Sequence, residues 1–487
     1  MIINQSIGGL NVTDALLVQY PVSEESRTIL PGHFIKFVED NGTIYVEKAL
    51  GEDENLGTHY IQLQERHILQ NSTITSVRIM KIDDTRIFVV YNYKDATNYY
   101  NTEARIIALE NGAFSYGTPL KVVTATSPNS VFVGSIQMCL INDNRILFTY
   151  TSAAVTNQIV GRVIDIEGLD LTLPGNIHTL STTTNTVVVK TWYAGNNIAW
   201  IAYGTTSATS TLRLRAIEIN DTVLTGKSEI ATSVTNFTSG VNDFCEFGPN
   251  KYLLVFYTGS NVRSCFITTS GTSASLSTVT TIYNSSMKGS LSLCKMTDTT
   301  CIVVFSDPQG IAIPITVDSS TNTITPSTTT YAFYSYGSYH VSITPVTATK
   351  VIITYMDTTL GNQKYYARVA NYNESDNSLT FGENLTIANA NIGFNDGTQL
   401  INDTSVFFFN GIINSVSGLA VTVLTPSDAD SDVLLEGMEV TFFGDGVIDG
   451  IARSGGEPGD TIYIYTLTGT VESAIEAMSA NAFVQTI

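Results

Sequence analysis

The residues best placed to do chemistry are carboxylates and tyrosines. Asp428, Asp430, Asp432 and Glu436 alternate within TPSDADSDVLLEG, a spacing that sets oxygen ligands on one side of a tight turn, as the opening of a calcium loop does. The glycine at the sixth position of such a loop is missing and Glu436 comes too early, so a solvated acidic hairpin competes with a structural Ca2+. Tyrosines crowd three segments: YNYKDATNYYN (Tyr91 to Asn101), YAFYSYGSYH (Tyr331 to His340) and QKYY (Gln363 to Tyr366). A phenol ring with a polar edge suits the C–H faces and hydroxyls of a sugar, and it suits a protein interface equally well. Tyr93, Tyr99, Tyr100, Tyr334, Tyr336, Tyr339 and Tyr365 are therefore the expected ligand contacts. The plainer alternative packs them between sheets with their hydroxyls at the rim.

Catalytic constellations are not apparent. The five histidines (His33, His59, His67, His178, His340) stand at unrelated places, and neither G-x-S-x-G nor H-E-x-x-H occurs. No enzyme is expected, and a glycan-cleaving one ranks last for want of an acid pair. No cofactor is expected beyond that possible Ca2+. Five cysteines (Cys139, Cys245, Cys265, Cys294, Cys301) form no C-x-x-C pair and mostly sit in strand-like runs; they read as buried free thiols of a chain folded in a reducing cytoplasm. A net charge of −20 opposes binding to a phosphate backbone, so nucleic acid is not an expected partner. No run of eighteen apolar residues suggests membrane insertion, and the first residues lack a secretion signal, which places the expected mature start near Met1.

The elements that must hold these residues are legible in a repeat. One apolar phrase recurs seven times: RIFVVY (Arg86 to Tyr91), RILFTY (Arg145 to Tyr150), IAWIAY (Ile198 to Tyr203), YLLVFY (Tyr252 to Tyr257), CIVVFS (Cys301 to Ser306), KVIITY (Lys350 to Tyr355) and SVFFFN (Ser405 to Asn410). Successive copies end 59, 53, 54, 49, 49 and 55 residues apart. A polar turn such as IDDT (Ile82 to Thr85) or INDN (Ile141 to Asn144) precedes most copies, and a second strand such as ARIIAL (Ala104 to Leu109) follows. A strand so apolar must be covered on both faces. Four antiparallel strands in about fifty residues make the unit of a β-propeller blade. The expected fold is thus all-β, a seven-bladed propeller of four-stranded blades over residues 73–435. Residues 1–72 and 436–487 are expected to form together a small β-domain, with a short terminal helix over Val471 to Val484.

The unrepeated ends carry a resemblance. ILPGHFIKFVEDNGTIYVEKALG (Ile29 to Gly51) resembles the opening segment of tailed-phage virion proteins, and GVIDGIARSGGEPGDTIYIYTLTG (Gly446 to Gly469) is similar to their closing segment, found also in head-decoration and tail-fibre proteins. In such proteins the two segments flank a long insert of repeated strands, and His33 stands where an acidic residue is usual. The resemblance implies a structural protein on the virion surface, made in the host cytoplasm. Its implied partners are other virion proteins and further copies of itself as a trimer or higher oligomer, with the propeller engaging host-surface glycan or protein. The alternative is a capsid or tail decoration protein that binds no receptor.

Overall fold

A computed structural model describes the chain except for residues 1–5, 8–9, 12–16, 23–33, 41, 49–59, 64–66, 71–73, 95–99, 111–112, 124–135, 153–154, 156, 206–209, 239–240, 288, 308, 336–337, 358–363, 383, 391–396, 402–403, 414–415, 428–446, 453–460 and 471–487. The expected carboxylate turn and terminal helix lie outside the described residues, as do Tyr99 and Tyr336. The chain divides into two compact units, one of 1–63, 382–387 and 425–487, the other of 64–381 and 388–424.

In the larger unit every copy of the apolar phrase forms the second strand of a meander. These strands are Arg86–Lys94, Arg145–Ser152, Ile198–Thr205, Lys251–Tyr257, Thr300–Asp307, Lys350–Asp357 and Thr404–Ile413, each hydrogen-bonded on both sides. In the first five of them the side chains alternate between two cores. Phe88 and Val90 pack with Ile146, Phe148 and Tyr150 on one side, while Ile87, Val89 and Tyr91 turn to the other. Trp200 and Ala202 likewise meet Leu254 and Phe256, whereas Ile201 and Tyr203 meet Leu147 and Val163. A period-2 strand can be apolar at nearly every position when another sheet lies on each face.

The strands before the phrase, Ile74–Lys81, Gln137–Asn142, Thr186–Gly195, Asn242–Gly248, Leu291–Lys295, Ser338–Pro345 and Gly397–Ile401, pack each on the next and the last on the first. They are the inner strands of a ring, and the fold is an all-β propeller. The described residues form six blades, which corrects the expected seven. The sixth and seventh copies of the phrase share one ten-stranded sheet, because the strand Leu385–Ala390 pairs with Thr404–Ile413 at Asn389↔Ile412 and Ala390↔Gly411 instead of leaving an open edge. That double-width blade also closes the ring. Its strand Val416–Ser427 takes the early strand His67–Gln70 as outer neighbour, in register Leu419↔Gln70, Ala420↔Ile68 and Val421↔His67. Leu419, Val421 and Val423 then share a core with Ile87, Val89 and Ile107 of the first blade.

The turns between inner and second strands explain their recurring polar letters. Asp83 Oδ1 accepts from the Thr85 amide at 2.9 Å, Asn142 Oδ1 from Asn144 at 3.0 Å, Thr297 Oγ1 from Thr299 at 3.2 Å and Thr347 Oγ1 from Thr349 at 3.2 Å. An Asp, Asn or Thr at that one position closes the turn with its own side chain. Cations then tie neighbouring blades. Arg86 donates to the Gly168 carbonyl at 3.0 Å and Arg145 to Asp221 at 2.9 Å, both in the outer turn of the next blade. Arginines of the third strands reach the other way: Arg162 donates to the Val122 carbonyl at 3.2 Å and Arg215 to that of Leu180 at 2.9 Å, while Arg162 also holds the Gly175 carbonyl of its own blade at 2.9 Å.

The smaller unit contains a five-stranded antiparallel sheet in the order Leu17–Pro21, Thr461–Thr470, Val447–Ala452, Phe34–Asp40, Thr43–Lys48. The two ends of the chain meet at Phe34↔Ile451 and Ile35↔Gly450, which joins the two terminal segments singled out above as strand neighbours. Among the described residues no helix is long and apolar enough to cross a membrane.

Candidate functional site

In a meander the first and third turns lie at one end of the sheet, and the loop from second to third strand lies at the other, together with the link to the next blade. The three tyrosine-rich segments all fall on this second kind of connection. Tyr91 to Lys94 and Tyr100 to Asn101 stand on either side of one second-to-third connection, Lys364 to Tyr366 open the third strand after another, and Tyr331 to His340 links the fifth blade to the sixth. Antiparallel pairing therefore brings to one face segments that lie far apart in sequence.

On that face tyrosines are paired with carboxylates. Tyr283 donates to Asp307 Oδ2 at 2.9 Å and Tyr334 to Asp357 Oδ2 at 2.7 Å. The two pairs are equivalent. Each aspartate is the last residue of a second strand, and each tyrosine ends the strand that completes the preceding blade. In the first blade Tyr93 and Tyr91 donate to the two oxygens of Glu103 at 2.7 and 3.1 Å. In the third, Glu229 accepts from Tyr203, from Arg213 and, at 3.1 Å, from Thr183. Burial by itself would raise the Glu229 carboxyl, but hydrogen bonds from Tyr203, Arg213 and Thr183 hold it below the ordinary carboxylate range. Burial, then the bond to Asp307, pushes the Tyr283 hydroxyl up, so it stays protonated and donating.

Around Tyr334 the rings form a cluster. Tyr355 lies 4.8 Å from it and Tyr366 6.0 Å, and Tyr355 stacks on Tyr366 at 5.7 Å between centroids. Tyr355 is fully buried, whereas Tyr334 and Tyr366 are half-buried. Tyr365 corrects the sequence reading: its exposure is 0%, because alternate residues of a strand face opposite ways and it is Tyr366 that turns toward Tyr334. Tyr93 is also buried, its hydroxyl committed to Glu103. Tyr100 begins the strand Tyr100–Glu110 opposite Lys94, and Tyr339 lies on Ser338–Pro345 opposite Met356.

The carboxylate partners Glu103, Glu229, Asp307 and Asp357 escaped the sequence reading. A weak signal existed for two of them, since Asp307 and Asp357 follow the phrase by one and two residues. His340, at φ 51°, is the third residue of the inner strand Ser338–Pro345; burial, then the nearby Arg78 charge, lowers it to about 4. On the opposite face Asn142, Asp143, Arg145, Asp165, Glu167 and Thr172 line an open cleft of about 630 Å³. Its one cation is held by Asp165 at 2.6 Å and by Asp221. No cluster of three metal-ligating side chains occurs among the described residues.

No protein-family model matches the chain, and no curated protein matches it by sequence. Among solved structures it is similar to a proposed 6-phosphogluconolactonase from Bacteroides uniformis, with TM-score 0.47 and 11% identity over 77% of this chain and 97% of that one. It is similar also to the β-propeller domain of the Trilobed protease from Pyrococcus furiosus, at 0.39 and 9% over 74% and 100%. The lectin SapL1, in complex with alpha methyl fucoside, gives 0.40 and 13% over 64% and 97%. At these identities and scores no activity or ligand passes from them to this chain.

Proposed function

We propose that this chain is a surface protein of a phage particle whose propeller attaches to host-surface glycan or protein through the face that carries the second-to-third loops. The observation that supports attachment is the gathering of three tyrosine-rich segments on that face, rimmed by tyrosine–carboxylate pairs on four second strands or their neighbours. Tyrosines held by carboxylates are pre-oriented, so less side-chain entropy is lost when a ligand stacks on them. The placement on a particle rests on the resemblance of the two terminal segments.

Purified parent particles should contain the chain by mass spectrometry, and labelled protein should bind host cells. Replacing the half-buried pair of tyrosines, Tyr334→Ala with Tyr366→Ala, is expected to weaken cell binding at least tenfold while the variant keeps its circular dichroism. A chain present in particles that binds no cells or glycans would be a decoration protein, and release of free sugar would point to an enzyme.

A further inference from the structure

Two boundaries between blades carry the same constellation. Where the fourth blade meets the fifth, Tyr283 donates to Asp307 at 2.9 Å and its ring lies 5.1 Å from that of Phe305, inclined by 52°. Where the fifth meets the sixth, Tyr334 donates to Asp357 at 2.7 Å and its ring lies 4.8 Å from that of Tyr355, inclined by 46°. Each tyrosine pairs with a third strand just where the register shifts, opposite Val262 in one blade and Gly310 in the next. The residue behind the second ring differs, since Ile311 stands opposite Phe305 and Tyr366 opposite Tyr355. Both tyrosines and Asp307 are half-buried. Among the described residues Asp307 accepts on Oδ2 alone and forms no ion pair. In the first four blades the place of the two aspartates, two residues beyond the aromatic of the second strand, is taken by Tyr93, Ser152, Thr205 and Thr258.

We infer that each of these boundaries is a subsite for one uncharged sugar ring, so that the loop-bearing face takes two sugars per chain and rejects sialic and uronic acids. The inference rests on the attachment reading and gives its ligand a chemical class. In each subsite the C–H face of the sugar lies against the tyrosine ring, and a sugar hydroxyl donates to the aspartate, at Oδ1 in the case of Asp307. A carboxylate is a strong acceptor for a hydroxyl, but it repels a second carboxylate. Glu103 and Glu229 lie on the same face and the chain carries a net charge of −20, so an acidic sugar meets repulsion at both subsites. The subsite between the fifth and sixth blades, with the half-buried Tyr366 where the other has Ile311, offers more aromatic surface and binds more tightly.

The test counts sugars bound to the intact chain by native mass spectrometry, titrating the methyl glycosides of glucose, galactose, mannose and fucose beside those of glucuronic and galacturonic acid. At least one neutral glycoside should saturate at two per chain, and the acidic ones should bind about tenfold more weakly than it does. Asp307→Asn and Asp357→Asn should each lower the count from two to one, and the double variant should bind none. Where asparagine disturbs the circular dichroism, Tyr283→Phe and Tyr334→Phe keep the rings and should each weaken one subsite alone. Saturation at one sugar, a preference for the acidic glycosides, no bound glycoside, or a count indifferent to all four substitutions would each overturn the inference. Binding of the same labelled preparation to host cells separates the two readings: if it persists, attachment stands without these subsites, and if it is absent, both fall.

Discussion

Single residues on the loop-bearing face are set by what their polar atoms can reach. A hydrogen bond to a charged acceptor is worth about 1.5–3 kcal/mol, which is enough to fix a tyrosine edge that would otherwise rotate. The same accounting gives His340 a pH signature. Its folded value of about 4 lies below the ordinary 6.5, so between those limits the unfolded chain binds more protons than the folded one. Stability is therefore expected to fall as pH drops from about 6.5 to about 4, by about 3 kcal/mol in all. His340→Asn should flatten that limb in urea midpoints measured against pH, because asparagine accepts the positive φ without titrating. An unchanged slope would assign the acid sensitivity to other groups.

Strands and turns carry the repeat, and they carry it through alternation. Phe88 and Val89 are neighbours in sequence but belong to different cores, so one strand serves two interfaces. Tight approach of blade to blade depends on small residues where backbones meet. Gly117, whose amide donates to the Ile106 carbonyl at 2.9 Å, leaves no room for a side chain, since a Cβ there would overlap the Leu169 carbonyl oxygen of the next blade. Gly117→Ala is expected to destabilise by about 1–3 kcal/mol, as backbone rather than a flexible side chain must yield. A lower urea midpoint with unchanged slope would register it.

At the scale of the ring, closure is the vulnerable step. The outer position on Val416–Ser427 is filled by His67–Gln70, a strand from the other end of the repeated region. Without it the stretch Leu419–Val421 would present an unpaired edge of the kind that invites aggregation. Ile68→Pro, placed opposite Ala420, should break this pairing. The expected readout is faster amide exchange in Leu419–Val421 and a broadened or two-step unfolding transition. A single sharp transition at the wild-type midpoint would show that closure does not depend on this strand.

What the amino-acid sequence determined by itself was the local unit: an apolar phrase, its side-chain-closed turn at Asp83, Asn142, Thr297 or Thr347, and the strand that follows. Those are short-range matters of period-2 pattern and turn chemistry, so they repeat as letters. The number of separate blades was not legible, because pairing of Asn389 and Ala390 with Ile412 and Gly411 joins two copies through contacts that no period records. The site was legible only in half. Tyr334 could be picked out by its polar aromatic surroundings, but Asp357, and the burial of Tyr365 beside the half-buried Tyr366, were decided by tertiary structure. Which side of a strand meets solvent, and which carboxylate meets a hydroxyl, depends on the neighbouring blade, and that neighbour is fixed by folding in three dimensions.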